Sequence, residues 1–182
     1  MKTLATVFAL ILLVASALPA QQVQQSQQHS RLKVGDVAPE FSLDGTNSFK
    51  FKLSDFKGKK NVVVAFFPAA FTAGCTSELQ NFTKENAKFT DQNTQVVMIS
   101  TDFIATLNHW SKEMDANFPM LSDHGRSVTK MYDVLNEPAG IANRTTFVVD
   151  TDGKIASINE GKEALDTTGA ETACSRLKHK SP

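Results

Sequence analysis

The chain has 182 residues, of which 41% are hydrophobic and 21% are charged, and 19 basic residues balance 19 acidic ones. This length suits one domain with a short appendage, and the hydrophobic fraction is too high for a disordered chain. Without a basic excess, nucleic acid is not an expected partner. Two cysteines, Cys75 and Cys174, are too few for a disulfide scaffold or a four-cysteine zinc site, so two thiols remain to be explained.

The N-terminal segment predicts export. Lys2 is followed by an uncharged apolar run that ends in small residues near Ala20, which is the pattern of a signal peptide over residues 1–20. A buried core helix and a retained membrane anchor are the alternatives. The run is short for a membrane span, however, and polar Gln21 and Gln22 follow it at once. We therefore expect a periplasmic or secreted protein, free of the membrane after cleavage, in a compartment where disulfides persist.

A glutamine-rich segment follows this run. Residues 21–31 carry too little apolar surface to pack, so we interpret them as a linker and expect the folded domain over residues 32–182. Within the domain, alternating apolar and polar residues over 41–43 and 49–53 flank the turn-forming sequence DGTN at 44–47. This pattern predicts a β-hairpin.

The middle of the domain alternates between strand and helix patterns. Residues 61–67, NVVVAFF, form a continuous β-branched and aromatic run that is typical of a strand buried on both faces, and Pro68 ends it. The next predicted elements are a helix over 72–91, a strand over 94–101, a helix over 103–116, an extended stretch over 118–121 and a helix over 125–135.

The C-terminal part predicts a second hairpin and a last helix. Residues 145–150 and 155–159 have strand patterns around a turn at 151–154, and residues 168–178 are expected to be helical. Strands that alternate with helices before a hairpin predict an α/β fold with a central mixed β-sheet flanked by helices. A thioredoxin-like fold has this order, and the pattern alone leaves other α/β folds open.

The segment with the clearest chemistry is FFPAAFTAGCTSE, residues 66–78. It runs from the buried strand through a loop into a helix, and such junctions lie at the carboxyl edge of the sheet, where α/β proteins keep their sites. Cys75 falls in the first helical turn, where unpaired N–H groups and the helix dipole favour the thiolate. Since the thiolate is the nucleophilic form, the sequence predicts that Cys75 is reactive.

Pro68, Thr72 and Cys75 form the motif Pro-x-x-x-Thr-x-x-Cys, and with it the sequence resembles the peroxiredoxins. Within that family it is most similar to the branch of bacterioferritin-comigratory and AhpE-type proteins. The resemblance spans nearly the whole domain, through VGDVAPEF at 34–41, Trp110, LSD at 121–123 and RTTF at 144–147. It implies a thioredoxin-like fold and a thiol-dependent peroxidase that reduces hydrogen peroxide or organic hydroperoxides.

The resemblance also implies a role for each site residue. Cys75 attacks a peroxide oxygen and becomes a sulfenic acid. Thr72 hydrogen-bonds the thiolate and the peroxide, and Pro68 shields the thiolate from water. Arg144 stabilises charge on the sulfur and on the breaking O–O bond, and Glu78 orients Arg144. The plainer alternatives are a helix N-cap for Thr72, a strand terminator for Pro68 and solvated surface side chains for the charged pair.

Cys174, near the C-terminus, is the harder cysteine to interpret. Part of the resembled branch carries a second cysteine five residues after the first, and here that position is Gln80. Cys174 is therefore the candidate resolving cysteine, which would condense with the Cys75 sulfenic acid within or between chains. The alternative is a buried, chemically idle thiol. If Cys174 lies out of reach, a thiol from outside the chain must complete the cycle.

The expected partners are a peroxide and a thioredoxin-like or low-molecular-weight thiol reductant, with a homodimer as a further expectation. No metal or other cofactor is expected, because the four histidines lack metal-ligand spacing. Two other functions stay open at this point. A thioredoxin-type oxidoreductase needs Cys-x-x-Cys, but Thr72 occupies the first position. A non-enzymatic module would hold Cys75 and Cys174 in a permanent disulfide.

Overall fold

The computed structural model describes residues 32–178, so the predicted signal peptide and linker lie outside the described part. It contains nine strands and four α-helices in that range. The strands are β1 (Ser42–Asp44), β2 (Lys50–Lys52), β3 (Asn61–Phe66), β4 (Thr94–Ser100), β5 (Met120–Ser122), β6 (Leu135–Asn136), β7 (Ile141–Ala142), β8 (Thr145–Val149) and β9 (Ile155–Glu160). The helices are α1 (Ala73–Asp91), α2 (Ile104–Glu113), α3 (Ser127–Met131) and α4 (Thr168–Lys178).

A five-stranded mixed sheet forms the centre of the molecule, with the strand order β5-β4-β3-β8-β9. Strand β3 pairs in parallel with β4 and antiparallel with β8, while β8 and β9 form an antiparallel hairpin. All six residues of β3 are buried, as expected for a central strand with both faces covered. This arrangement confirms the predicted α/β fold with a mixed sheet.

Two hydrophobic cores lie on opposite faces of the sheet, because successive side chains of a strand point to opposite sides. Val62 and Val64 face the core shared with the β1–β2 hairpin and α3. Val63 and Ala65 face the core shared with α1, α2 and α4, which also contains both cysteines. The chemistry therefore lies on the second face, under helix α1.

The region after β5 differs from the sequence prediction. The helix expected over 125–135 is only Ser127–Met131, because Asp133 adopts a positive φ of 54° and ends it. The chain then forms β6, which pairs with β7, and neither strand was predicted. Two-residue strands carry no periodic signal, so the pattern could not reveal them. The other predicted helices and strands are present with ends shifted by a few residues.

Between residues 32 and 178, no helix has both the length and the apolar character that crossing a bilayer requires.

Candidate active site

The candidate site lies at the sheet edge where β3 and β4 end and β8 begins. Phe66, the last residue of β3, pairs with Thr145, the first residue of β8. Arg144 therefore emerges beside the loop that leads from β3 into α1. The Gly161 N–H donates to the Arg144 carbonyl at 2.9 Å and holds its backbone in place. Antiparallel pairing thus brings an arginine from late in the chain next to the first turn of α1.

Arg144 contacts two side chains in the first two turns of α1, those of Cys75 and Glu78. One of its guanidinium nitrogens, Nη2, lies 3.2 Å from the Cys75 Sγ, and Nη1 pairs with a carboxylate oxygen of Glu78. Cys75 and Glu78 are three residues apart on α1 and so share a helix face. Both are completely buried, and the Arg144 side chain is only 13% exposed. Arg144 thus places a positive charge directly against the sulfur in a largely buried site.

Gly74 makes room for this contact. A Cβ added at Gly74 would lie 3.3 Å from the Arg144 Nη2, which is closer than most real Cβ contacts, and 3.9 Å from a methyl of Leu165. A larger residue would push the guanidinium away from Cys75. Sequence reasoning missed this role, since the glycine precedes the cysteine without any distinguishing pattern.

Thr72 and Pro68 lie in the loop before α1. Thr72 occupies the N-cap position with extended backbone angles, and its carbonyl accepts the Thr76 N–H at 2.8 Å. Its hydroxyl does not cap the helix and instead donates to the Ala69 carbonyl at 2.9 Å. Pro68 directly follows the buried Phe67 and is itself half-buried. Both residues thus flank the start of the helix that carries Cys75.

Asp102 is a site neighbour that sequence reasoning missed. Its Oδ2 accepts the Ala70 N–H at 2.9 Å and so ties the Pro68–Thr72 loop to the end of β4. A signal was available, because Asp102 follows the predicted buried strand over 94–101. The carboxyl ends of neighbouring parallel strands meet at one edge of the sheet.

Cys174 is not part of this site. It is completely buried in α4 beside Thr94, and Thr94 opens β4 at the opposite edge of the sheet. Helix α1 spans the sheet between the two edges, and with its rise of 1.5 Å per residue the two sulfurs are on the order of 20 Å apart. Both thiols are free. Burial raises the pKa of the Cys174 thiol to about 11, so it is protonated at neutral pH.

The described residues contain no group of three or more His, Cys, Asp or Glu side chains that could hold a metal ion. The contacts of Arg144 bring together one buried sulfur, one guanidinium and one carboxylate.

The sequence model of the AhpC/TSA family matches residues 34–158. The chain belongs to the AhpC/TSA family. Alkyl hydroperoxide reductase E of Mycobacterium tuberculosis (strain ATCC 25618 / H37Rv) is 41% identical over 140 residues, which cover 74% of this chain and 91% of the relative. A chloroplastic 2-Cys peroxiredoxin of Spinacia oleracea is 34% identical over 132 residues, which cover 67% of this chain and 50% of the relative.

Solved structures give the same family. The crystal structure of peroxidoxin BcpB from Mycobacterium tuberculosis matches with a TM-score of 0.75 and 29% identity, covering 83% of this chain and 99% of that one. A reduced 2-Cys peroxiredoxin of Plasmodium vivax matches with a TM-score of 0.73 and 25% identity, covering 81% and 83%. These relatives confirm the thioredoxin-like fold and the expected thiol-dependent peroxidase, and they do not favour a thioredoxin-type oxidoreductase.

Proposed function

We propose that this peroxiredoxin reduces peroxides with Cys75 as the attacking nucleophile. The observation that carries the proposal is the Arg144 guanidinium, which lies 3.2 Å from the Cys75 Sγ while it also pairs with buried Glu78. A cation fixed at the sulfur can stabilise negative charge as that charge moves from the sulfur to the leaving oxygen during the reaction. Glu78 holds the guanidinium in one orientation relative to the sulfur.

The first chemical step follows from this geometry. The Cys75 thiolate attacks the peroxide oxygen that carries hydrogen, a new S–O bond forms and the O–O bond breaks. The sulfur is oxidised to a sulfenic acid, and the other oxygen leaves as an alkoxide or hydroxide, which takes a proton from solvent. Arg144 stabilises the negative charge as it moves from the sulfur to the leaving oxygen.

Thr72 and Pro68 would act on the same step. The Thr72 hydroxyl is exposed at the mouth of the site and donates only to a neighbouring carbonyl, so its lone pairs can accept a hydrogen bond from an incoming peroxide. Pro68 lacks an N–H and presents an apolar ring at the loop, which would limit water around the sulfur. The position of Thr72 and Pro68 in the loop just before Cys75 supports both proposed roles.

For the second half of the cycle we propose a thiol from outside the chain. Cys174 was the resolving candidate, yet it lies on the order of 20 Å from Cys75, and a disulfide requires Cα atoms within about 7 Å. Burial also keeps Cys174 protonated and therefore a poor nucleophile, for a second chain as much as for its own. Thiol attack on the buried Cys75 sulfur requires the first turn of α1 to open, because Cys75 has no exposed surface. A thioredoxin-like or low-molecular-weight thiol fits this step.

The cellular setting and assembly are further proposals. The apolar run at residues 1–20 supports export to the periplasm or the outside of the cell, where no membrane attachment remains after cleavage. A homodimer remains a prediction as well. N-terminal sequencing of the secreted protein would test export and cleavage. Sedimentation of the mature chain would test the homodimer.

Intact-mass measurement after one equivalent of hydrogen peroxide tests the function. Wild type and Cys174→Ser should each gain oxygen at Cys75, and Cys75→Ser should neither gain oxygen nor consume peroxide. A loss of two hydrogens in wild type, absent in Cys174→Ser, would show that Cys174 resolves the sulfenic acid. Undiminished peroxide turnover by Cys75→Ser would contradict the proposed function.

A further inference from the structure

The loop that joins β3 to α1 carries Pro68 and Thr72, and two backbone bonds attach it to the neighbouring strand. The Phe67 N–H donates to the Ile99 carbonyl at 2.9 Å, which continues the sheet by one residue. The Ala70 N–H donates to the Asp102 Oδ2 at 2.9 Å, and this bond reaches the middle of the loop. The Asp102 carboxylate therefore ties the middle of the loop to the sheet.

That carboxylate is itself held firmly. Asp102 Oδ2 also accepts the Ser100 hydroxyl at 2.9 Å, and the Asp102 N–H donates back to the same Ser100 oxygen at 3.2 Å. The Asp102 carbonyl accepts the Ser122 hydroxyl from β5 at 2.7 Å. Ser100 is completely buried at the end of β4. Asp102 is thus fixed to two strands of the sheet at its amide, its carbonyl and its side chain.

The next residue of the loop explains why such a tether is needed. Phe71 adopts a positive φ of 64°, which costs energy for a residue with a bulky side chain. Its ring is half-exposed and packs against Trp110 and His109 with centroid distances of 6.0 Å. The surrounding contacts must therefore hold this conformation, and the Ala70–Asp102 bond is directly adjacent to it.

We propose that Asp102 is a positioning residue for peroxide reduction. Its carboxylate fixes the Ala70 amide and thereby sets the place of Thr72 and Pro68 relative to the Cys75 sulfur. This inference rests on the proposed function and adds a residue that touches neither the sulfur nor the substrate. Reactions that need aligned groups lose about 100-fold in rate when those groups move by about 1 Å.

Two reactions of the Cys75 sulfur test whether Asp102 positions the loop or only stabilises the fold. Peroxide reduction needs the thiolate together with the aligned loop, whereas alkylation by iodoacetamide needs only an accessible thiolate. Loss of the tether should therefore slow the first reaction and leave the second unchanged or faster. Because Cys75 has no exposed surface, opening of a destabilised fold would also speed alkylation, so urea unfolding of each variant measures any loss of stability separately.

The experiment compares wild type with four variants. Asp102→Ala removes the acceptor, Asp102→Asn keeps a side-chain oxygen for the Ala70 amide, and Ser100→Ala removes one support of the carboxylate. Asp150→Ala is the matched control, because Asp150 Oδ1 also accepts two backbone N–H groups, from Asp152 and Lys154, at the opposite edge of the sheet. Each protein is reduced, then mixed with hydrogen peroxide or with iodoacetamide. Fluorescence of Trp110, the single tryptophan, follows the first reaction and intact mass the second.

For Asp102→Ala we expect the ratio of the peroxide rate to the alkylation rate to fall by about 10- to 100-fold. In Ser100→Ala this ratio should fall by a smaller factor. In Asp102→Asn and Asp150→Ala it should stay within about 3-fold of the wild-type ratio. An unchanged ratio in Asp102→Ala, or an equal fall in Asp102→Asn, would overturn the proposal. If Asp102→Ala does not fold, an unchanged ratio in Ser100→Ala overturns it in the same way.

The wild-type measurement distinguishes failure of the positioning role from failure of the proposed function. If reduced wild type does not react with peroxide at Cys75, the proposed function fails. If wild type reacts and Asp102→Ala reacts equally well, the function stands and only the positioning role is lost.

Discussion

Arg144 places one guanidinium nitrogen 3.2 Å from the Cys75 sulfur and uses the other for the carboxylate of Glu78. A planar fork can serve two acceptors at once, whereas a lysine ammonium is a point charge on a flexible stem. The site therefore depends on the shape of the cation as well as on its charge.

Arg144→Lys should lower the second-order rate constant for hydrogen peroxide by about 100-fold, because the ammonium cannot hold Glu78 and reach the sulfur together. Stopped-flow fluorescence of Trp110 measures this rate. Arg176→Lys, on the exposed face of α4, is the control and should behave as wild type. A wild-type rate in Arg144→Lys would show that charge alone suffices.

Gly74→Ala should separate activity from stability. The new Cβ would meet the Arg144 Nη2 at 3.3 Å and displace the guanidinium, so we expect the peroxide rate to fall by about 10-fold. Alanine is the better helix residue, so the free energy of unfolding should be unchanged or higher by about 0.5 kcal/mol. Urea unfolding and peroxide kinetics on the same samples check both statements.

Gly125→Ala is the matched control for that variant, since a Cβ there meets nothing within 4 Å. Its peroxide rate should equal that of wild type. If Gly74→Ala also reacts at the wild-type rate, Arg144 tolerates the displacement and the glycine has no part in the site.

Glu78→Gln keeps the shape of a buried side chain but removes the charge that faces Arg144. The guanidinium, only 13% exposed, then lacks its buried counter-ion. We expect a loss of about 2 kcal/mol in the free energy of unfolding, below the usual cost of breaking a buried pair because water reaches part of Arg144. The peroxide rate should fall by about 10-fold, since the guanidinium is no longer oriented. Unchanged stability and rate would show that Glu78 does not orient Arg144.

The buried Cys174 thiol predicts a loss of stability at high pH. Burial raises its pKa from 9.0 to about 11, so the folded state binds this proton more tightly than the unfolded state. The resulting stabilisation is complete below pH 9 and is lost as the pH rises to about 11. The difference of two pKa units corresponds to about 3 kcal/mol.

Urea unfolding of wild type and Cys174→Ala between pH 8 and pH 11 tests this expectation. Groups other than Cys174 titrate equally in both proteins, so the difference between the two curves isolates the thiol. The wild-type advantage should shrink steadily above pH 9. Parallel curves over the whole range would mean that the thiol titrates alike in the folded and unfolded states.

Much of the site was available from local sequence patterns. The run NVVVAFF predicted β3, since continuous β-branched and aromatic residues suit a strand buried on both faces. The helical spacing after Pro68 predicted α1 with Cys75 in its first turn. Among the described strands and α-helices, the short pair of β6 and β7 and the early end of α3 were not predicted, because a positive φ and two-residue strands leave no periodic trace.

The sequence by itself selected Cys75 as the predicted nucleophile, because a position at a helix start is a local property of the cysteine and its preceding loop. Only the tertiary structure decided what surrounds that sulfur. The pairing of Phe66 with Thr145 places Arg144 at the site, and the parallel pairing of β3 with β4 places Asp102 there. The same sheet places Cys174 at its far edge. Such neighbours depend on strand order and register, which join residues that are distant in the chain and leave no periodicity in the sequence.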